Sequence, residues 1–372
     1  MYSNGIIKKI SISNFRSHKD LTIESNRPNV VLFGENGAGK TNILEAITMF
    51  SPGKGMRDAK HDQMINNNEN INSFQIKILL NVDQGDINFH KKYLNDDGKS
   101  NINYFIDDKK INNNDLLNYI RIIWITPVME KVMLQNYTEK RNFFDRLIFN
   151  INKKHLKNCR NLTKLLKERI SLLQQDDYDE NWLSILEEKI TTYSFEVLSE
   201  RKKVIKLINE NLKYISEPFT SCNIRFSYRT DKDLFESNDD EFKYKYREIL
   251  KNKRYLDKEI SRTTVSVNSV NFDIYKSKGN NMDAKNCSTG EQKSMLISII
   301  LSVCSIIKKD NSDTTLIILI DEAMAHFDEK HREQLFYELA LLNSQVWYTG
   351  VSKDLFKNIS EQTDFFEIKN NI

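Results

Sequence analysis

A glycine-rich segment that contains one lysine and one threonine is the part of the chain best suited to chemistry. Residues 34–41 read Gly-Glu-Asn-Gly-Ala-Gly-Lys-Thr and fit the phosphate-binding pattern G-x-x-x-x-G-K-[ST]. An apolar run precedes the segment and a helical pattern of apolar residues follows it, which is the strand–loop–helix context that the motif requires. Backbone N–H groups of such a loop wrap the phosphates of a nucleotide, and the helix N-terminus adds a favourable dipole. The sequence therefore predicts that the chain binds ATP or GTP.

The chemistry of this motif assigns roles to individual residues. We expect Lys40 to reach the β- and γ-phosphates of the nucleotide and the Thr41 hydroxyl to ligate Mg²⁺. The predicted nucleotide contacts from this segment are Gly34, Glu35, Asn36, Gly37, Ala38, Gly39, Lys40, Thr41 and Asn42.

Two adjacent carboxylates follow a second apolar run. Residues 315–320 predict a fully buried parallel strand, and Asp321 and Glu322 come directly after it. Ligands bind at the carboxyl ends of strands in open α/β sheets. In a chain that also has a phosphate-binding loop, we expect Asp321 to hold Mg²⁺ and Glu322 to polarise the water that attacks the γ-phosphate. The alternative is that the pair only caps the following helix.

A third motif predicts a second phosphate-binding element. Residues 288–292, namely Ser288, Thr289, Gly290, Glu291 and Gln292, come directly before an apolar helical run, Met295 to Ile307. Their backbone amides would therefore lie at a helix N-terminus, which favours anions. One nucleotide site needs only one phosphate cradle, so a second one calls for a geometric explanation.

The three motifs, in this order, resemble those of the ABC ATPase superfamily. There the signature motif, here Ser288 to Gln292, of one subunit closes over the γ-phosphate bound to the loop of another. The resemblance implies that the nucleotide site is complete only in a head-to-head dimer, with Lys40 and Glu322 as the catalytic residues and ATP and Mg²⁺ as cofactors.

Several further segments resemble the RecF and SMC branch of that superfamily. Asn14-Phe-Arg16 resembles its N-F-R element, which places Arg16 among the nucleotide contacts. Residues 51–57 and 140–145 resemble its G-R-S-F-R and R-R-x-F-L-D segments, and residues 321–328 resemble its second acidic motif running into the D-loop, with Asp328 as the matching aspartate. The spacing of these elements and the chain length match the RecF family.

This resemblance implies a function. ATP would join two copies into a dimer that binds double-stranded or gapped DNA without sequence specificity, and slow hydrolysis would release the DNA. The further partners would be RecO and RecR, and the downstream role would be to help load the RecA recombinase at single-strand gaps. Two other functions stay open: an ATPase subunit of another machine, and a nucleotide-binding regulator with little hydrolysis.

Two positions of the family pattern have no assigned counterpart. The G-P-H-R-type element that precedes the signature corresponds to Ser266-Val-Asn-Ser269, which lacks both the histidine and the arginine. The Q-loop residue stays open among Gln135, Thr126 and Glu130.

Positive charge is concentrated in two segments, although the net charge is only +3. Residues 140–169 contain ten Lys and Arg against two acidic residues, and residues 243–262 contain eight Lys and Arg. On helices these charges would form a basic face suited to phosphates, or merely a solvated face. With the resemblance, we expect Lys153, Lys154, Lys157 and Arg160 to bind the DNA backbone, since no base-reading motif is present.

The remaining features bound the fold class and the compartment. The 372 residues include four widely spaced cysteines, which excludes the usual zinc spacings and a disulfide framework and suits a reducing cytosol. The chain has no apolar signal region near its start and no run long enough to span a bilayer, so we expect a cytoplasmic protein that does not contact a membrane.

Helical patterns over 152–175 and 182–215 predict a helical hairpin. We therefore predict an α/β fold, with an ABC-type head (1–148 and 262–372) and an inserted helical arm (149–261).

Overall fold

The structure is a computed structural model that describes residues 5–66, 71–96, 98–228, 231–277, 281–310, 314–322 and 327–369. The chain divides into two compact units. The first unit comprises Met1–Glu130, Ser216–Phe219 and Ile300–Ile372, and the second comprises Lys131–Ile215 and Thr220–Ile299.

Strands and helices occur together along the chain. The first part contains β1 (Ile6–Phe15), β2 (His18–Glu24), β3 (Asn29–Phe33), α1 (Lys40–Thr48), β4 (Ser73–Val82), β5 (Gly85–Asp96), β6 (Lys99–Ile106), β7 (Lys109–Ile111) and β8 (Ile120–Ile125). The middle part contains α2 (Tyr137–Ile151), α3 (Lys153–Leu173), α4 (Glu180–Leu212), β9 (Cys222–Ser227), α5 (Lys232–Glu236), α6 (Asp239–Asn252), α7 (Arg254–Glu259) and β10 (Asn271–Lys276). The last part contains α8 (Thr289–Lys309), β11 (Thr315–Ile320), α9 (Glu329–Leu341), β12 (Gln345–Gly350) and β13 (Thr363–Glu367).

A parallel sheet in the first unit collects the strands that the sequence marks as functional. Its order is β13-β3-β12-β11-β8, and neighbouring strands are parallel. All six residues of β11 are buried, which confirms the predicted buried strand. Because parallel strands end at the same edge of a sheet, the glycine-rich segment after β3 and Asp321 after β11 lie at one edge, with the end of β12 between them.

An antiparallel sheet of order β2-β1-β4-β5-β6-β7 forms the other half of the first unit. The residue pattern over 74–82 and 86–94 predicts two paired strands, and the register of β4 and β5 confirms this pairing. Alternation in the sequence predicts that Ile6, Lys8, Ile10 and Ile12 share one face of β1, and this prediction is wrong. The pairing with β4 shifts between Ile7 and Lys9, and such a bulge places one extra residue in the strand and reverses the alternation. The buried side chains of this part of β1 are therefore Ile7, Ile10 and Ile12, and Phe15 is buried at its end.

The second unit contains the predicted helical hairpin, formed by α3 and α4. The side chain of Asn152 caps α3 by accepting from the Lys154 N–H, and Asp179 caps α4 by accepting from the Asn181 N–H, as is typical of helix starts. Both helices are amphipathic and pack through their apolar faces in one hydrophobic cluster that also includes α6. The sequence also predicts a charged loop over 231–241 and one helix from 242 to about 260. The loop instead contains α5, and the helix is two helices, α6 and α7.

A buried ionic cluster joins the helices of this unit. The Arg169 guanidinium is fully buried and bonds to Glu187 at 3.0 Å and to Asp257 at 2.7 Å. Arg169 belongs to α3, Glu187 to α4 and Asp257 to α7. Since removing one member of a buried pair leaves an uncompensated charge, this cluster fixes how the three helices meet.

Helix α8 is longer than the apolar run from which it was predicted. It spans 21 residues and, by length and composition alone, could cross a membrane, but 78% of its most apolar window is buried. Among the residues that the structure describes, it is the one helix with this property. The burial agrees with the prediction of a core helix.

The compact units divide the chain at other positions than the predicted head and arm. Residues 131–148 and 262–299, which we assigned to the head, lie with the helices of the second unit. One reason is that the β10–β9 ladder pairs residues 271–276 with 222–227. The bounds at which the head and the arm divide therefore stay a prediction.

An unusual buried lysine lies beneath the C-terminal end of α1. Lys91 is 1% exposed, and its Nζ lies 3.3 Å from the Met49 sulfur, 2.9 Å from His61 Nε2 and 5.1 Å from the centre of the Tyr104 ring. None of these neighbours is a carboxylate, so burial lowers the pKa of Lys91 to about 7. The charged form is thus disfavoured in the folded state.

We expect Lys91→Met to stabilise the protein, most strongly at low pH. Because the folded pKa lies below the unfolded value, the unfolded state binds more protons between about pH 7 and pH 10.5, so wild-type stability rises with pH across that window. The variant should lose this rise and gain roughly 3–5 kcal/mol at pH 6, shrinking to near zero above pH 10. Urea unfolding at pH 6 and pH 10 measures both effects, and an equal gain at the two pH values would contradict the assignment.

Candidate nucleotide site

The glycine-rich segment lies between β3 and α1, as the motif requires. Gly37 and Gly39 have φ values of 87° and 96°, in the left-handed region that L side chains rarely adopt. At Gly39 a Cβ atom would also lie 2.5 Å from the Ser17 hydroxyl oxygen and 2.7 Å from His18 Nε2. Glycine at position 39 is therefore required both by the backbone conformation and by the close approach of the turn between β1 and β2.

Lys40 is the first residue of α1, and its side chain folds back over the segment. It is 3% exposed, and its Nζ donates to the carbonyl oxygens of Gly34 and Glu35, both at 2.7 Å. These bonds hold a positive charge against the loop, where it can meet a phosphate.

The Asp321 carboxylate lies at the centre of the site. Its Oδ1 accepts from the Thr41 hydroxyl at 2.8 Å and from the Thr349 hydroxyl at 2.8 Å. Burial raises the pKa of Asp321, while the bonds from Thr41 and Thr349 oppose this rise. A threonine hydroxyl and a carboxylate are oxygen ligands of the kind that Mg²⁺ prefers, so Thr41 and Asp321 fit the predicted metal role.

Thr349, which the sequence did not single out, joins the two acidic residues. It lies near the end of β12, between β3 and β11. Its hydroxyl donates to Asp321 and accepts from the Glu322 N–H at 2.9 Å. Glu322 has a φ of 48°, a value that is uncommon for a residue with a side chain and that costs free energy. The Thr349 bond therefore fixes the turn that carries the predicted catalytic carboxylate.

A buried glutamate on α1 organises the side of the loop where Arg16 lies. Glu45 is fully buried and accepts from two nitrogens of Arg16, at 2.7 and 2.9 Å. Arg57 reaches the same carboxylate at 3.2 Å and also donates to the Asn42 side chain at 2.7 Å. A nucleotide contact by Arg16 stays a prediction, and its guanidinium is observed in this ion pair. In the sequence, Glu45 is marked only as the single acidic residue among the apolar residues of α1.

Ser17 and His18, which follow β1, contact the phosphate-binding loop and the start of α1. His18 is buried, and its Nε2 lies 3.0 Å from the Gly39 carbonyl oxygen. Burial lowers the pKa of His18. The Ser17 hydroxyl oxygen accepts from the Asn42 side chain at 2.8 Å. The N-F-R element thus leads directly into residues that position the phosphate-binding loop.

The end of β8 reaches the same edge of the sheet. The Asp321 N–H donates to the Ile125 carbonyl oxygen at 2.9 Å, and Thr126, one residue later, is 7% exposed. Among the three residues considered for the Q-loop, Thr126 is therefore next to the strand that carries Asp321. The side chain of Glu130 lies outside the described part of the chain, and Gln135 belongs to the second unit.

The predicted signature motif forms the start of α8 in the second unit. The Ser288 hydroxyl oxygen accepts from the Glu291 N–H at 3.3 Å, and Glu291 Oε2 accepts from the Ser288 N–H at 3.0 Å, which is a capping box. Lys276 bonds to the other Glu291 oxygen at 2.6 Å, and this bond, with those from Ser288, lowers the pKa of Glu291 to about 2. Thr289 and Gly290 are exposed, and open space surrounds Gly290.

Gln292 and the segment before the motif complete this part of the second unit. The Gln292 side chain donates to the carbonyl oxygens of Ala284 at 2.8 Å and Cys287 at 3.2 Å. In the segment that lacks the family's histidine and arginine, the Asn268 and Val267 carbonyl oxygens accept from other arginines. These are Arg141 and Arg201, each at 2.6 Å.

The D-loop aspartate begins the following helix. Asp328 caps α9, since its Oδ1 accepts from the His331 N–H at 2.8 Å, and bonds from His331 lower its pKa. The Phe327 and His331 rings stack with centres 5.6 Å apart. Residues 323–326, which complete the predicted motif, lie outside the described residues.

The predicted DNA-binding residues lie on the exposed side of α3. Lys153, Lys154, Lys157 and Arg160 are exposed. The wider expectation of a surface formed by all ten basic residues of 140–169 is wrong, because Lys140 is 3% and Arg169 0% exposed. At 3.6 residues per turn, five side chains point within roughly 40° of one direction, opposite the buried residues of α3. This basic stripe consists of Lys153, Lys157, Arg160, Lys164 and Lys167.

Comparisons with known proteins place the chain in a family. The family model "RecF/RecN/SMC N terminal domain" matches residues 6–372. The chain is 31% identical to "DNA replication and repair protein RecF" of Rickettsia prowazekii (strain Madrid E), over 98% of this chain and 99% of the relative. It is 30% identical to the protein of the same name in Rickettsia canadensis (strain McKiel), over the same shares.

Solved structures agree with this placement at the level of the fold. "Structure of the recombination mediator protein RecF-ATP in RecFOR pathway" matches with a TM-score of 0.84 and 22% identity, over 100% of this chain and 99% of that chain. An SMC head bound to the C-winged helix domain of ScpA matches with a TM-score of 0.54 and 15% identity, over 98% and 95%. The predicted α/β fold, an ABC-type head with an inserted helical arm, is thereby confirmed. The chain belongs to the RecF family of SMC-type ATPases.

Proposed function

We propose that the chain is an ATP-dependent DNA-binding protein of DNA replication and repair that dimerises when it binds ATP. The observation that carries the proposal is the bond network at Asp321, which joins the phosphate-binding loop, through Thr41, to the carboxylates after β11. Curated relatives carry the name of a DNA replication and repair protein, and a solved RecF structure of the same fold contains ATP.

The nucleotide site is proposed to be composite. Lys40 of one copy would face the γ-phosphate from one side, and Ser288 and Gly290 of a second copy would close the other side. The exposed start of α8 supports this arrangement, because Thr289 and Gly290 are open to an approaching phosphate and a helix N-terminus favours anions. Asp328, at the start of α9, would contact the partner copy through the D-loop.

Hydrolysis would use the residues at the edge of the parallel sheet. Thr41 and Asp321 would hold Mg²⁺, which neutralises charge on the phosphates when bound. Glu322 would orient and deprotonate the attacking water, and Thr349 would keep that carboxylate in position through the Glu322 N–H. Since ATP favours the dimer, hydrolysis would act as a slow release switch, weakly stimulated by DNA.

DNA would bind through the basic stripe of α3. Five cations on one side of a helix contact phosphates without reading bases, so duplex and gapped DNA are the proposed ligands. By family membership, RecO and RecR are proposed as partners, the loading of RecA at single-strand gaps as the downstream step, and the cytoplasm as the compartment.

A second candidate is a nucleotide-binding regulator with little hydrolysis. It is favoured by residues 266–269, which lack the family's histidine and arginine. Measured ATP turnover with and without gapped DNA separates the two functions, because turnover at the level of the Lys40→Ala variant in both conditions favours the regulator.

We expect Glu322→Gln to accumulate as an ATP-bound dimer. The amide keeps the backbone bond to Thr349 but cannot accept a proton from water, so the ATP-bound state persists. Sedimentation velocity should show monomer without nucleotide and dimer with ATP and Mg²⁺, while Lys40→Ala, the matched control, stays monomeric in both. A Glu322→Gln protein that remains monomeric with ATP would contradict the proposed switch.

Neutralising the basic stripe should weaken duplex binding in a salt-dependent way. For Lys153→Gln/Lys157→Gln/Lys164→Gln, the slope of log K against log [salt] should fall by about 0.9 for each DNA phosphate that the variant no longer neutralises. The matched control replaces three exposed lysines of α4 and its C-terminal end, Lys203, Lys206 and Lys213, with Gln. Equal slopes for the two triple variants would show that the stripe does not contact DNA.

A further inference from the structure

The antiparallel sheet of the first unit has an outer side that carries a continuous row of cross-strand partners. Pairing aligns Ser11 with Lys77, Lys77 with His90, His90 with Phe105 and Phe105 with Lys110. The row crosses five strands, so at about 4.8 Å per strand it is about 19 Å long. A parallel row beside it contains Ser13, Gln75, Lys92 and Asn103. We call these two rows the outer face.

The outer face is positively charged. Lys77, Lys92 and Lys110 are exposed. The second row ends on β2 at Asp20, which pairs with Ser13 and accepts a hydrogen bond from the Ser13 hydroxyl at 3.0 Å. The pKa of His90 is lowered to about 4, by partial burial first and then by Lys92 and Lys77, with an opposing effect of Asp108. His90 is therefore neutral near pH 7, and three lysines outweigh two acids, Asp20 beside Ser13 and Asp108 near His90. Such a potential attracts polyanions.

The outer face also presents an aromatic ring next to these cations. The Phe105 ring is half-buried, and its centre lies 5.6 Å from Lys92 Nζ and 5.9 Å from the His90 ring. The His90 Nε2–H donates to the Gln75 side-chain oxygen at 3.1 Å. A groove of about 390 Å³ along the same side is lined by Lys9, Lys77, Asn88 and His90, among others. The Phe105 ring, the lysines and the side-chain amides thus share one side of the sheet.

We propose that the outer face binds single-stranded DNA. Aromatic rings on an open sheet stack on unpaired bases while lysines contact the backbone, whereas the bases of a duplex are stacked inside and cannot reach Phe105. The basic stripe of α3, by contrast, has cations alone and suits a duplex backbone. That the strand is DNA rests on the proposed function. The chain then carries separate surfaces for the two kinds of DNA that meet at a gap.

The test is the affinity of the full-length protein, with ATP and Mg²⁺ present, for a labelled 20-mer of dT, measured by fluorescence anisotropy. Lys77→Gln/Lys92→Gln should lower the slope of log K against log [salt] by about 0.7 for each DNA phosphate that is no longer neutralised, and should leave binding to a 20-bp duplex unchanged. Phe105→Leu, which keeps an apolar side chain but removes the ring, should lower dT affinity by about 5-fold or more. The matched control is Lys353→Gln/Lys357→Gln, two exposed lysines of the same unit.

The outcomes separate this proposal from the proposed function. If the wild type does not bind dT, or if the outer-face variants bind dT as the control does, the proposal is overturned. If the outer-face variants lose dT and duplex binding equally, the site is not specific for single strands and the proposal also fails. Loss of duplex binding alone, in the triple variant of the basic stripe, supports it. If the wild type does not bind the duplex, the proposed function is overturned. The outer-face proposal is then decided by comparing the dT affinities of the outer-face variants and the control.

Discussion

The Asp321 carboxylate accepts hydrogen bonds from two threonine hydroxyls, and the rest of the site depends on this arrangement. Thr41 brings in the phosphate-binding loop and Thr349 brings in β12, so three neighbouring strands are joined at one oxygen atom. The Thr349 hydroxyl also accepts from the Glu322 N–H, which fixes the turn with positive φ. A small movement of β3 relative to β11 would therefore reach Glu322 through the Thr41 hydroxyl, the Asp321 carboxylate and the Thr349 hydroxyl.

Charges elsewhere in the chain are held in position in the same manner, by partners from distant segments. Glu45 pairs with Arg16 beside the phosphate-binding loop, and Arg169 pairs with Glu187 and Asp257 among the helices. Each of these groups is costly to bury alone and acceptable when paired. By contrast, Thr289 and Gly290 at the start of α8 are exposed, as expected if a second copy of the chain supplies the phosphate that they meet.

Features that depend on short patterns could be predicted from the sequence, and those that depend on distant pairing could not. The loop at 34–41, the strand before Asp321 and the helical hairpin each follow from a motif or a local period. Thr349 and Glu45 acquire their roles from partners far away in sequence. The sequence predicts Arg169 as part of a basic face, whereas in the structure it is buried with Glu187 and Asp257. The face of β1 was predicted wrongly because a bulge changes the alternation without a clear sequence signal.

The most direct test of the composite site is to mix two variants that are each inactive by themselves. Lys40→Ala damages the phosphate-binding loop, and Ser288→Arg blocks the signature element with a bulky side chain. In a mixture, a mixed dimer has one intact site, formed by Lys40 of one copy and Ser288 of the other. ATP-dependent dimer formation and ATP turnover should therefore reappear on mixing. If the mixture remains as inactive as its components, each nucleotide site is built within one chain and the composite site is wrong.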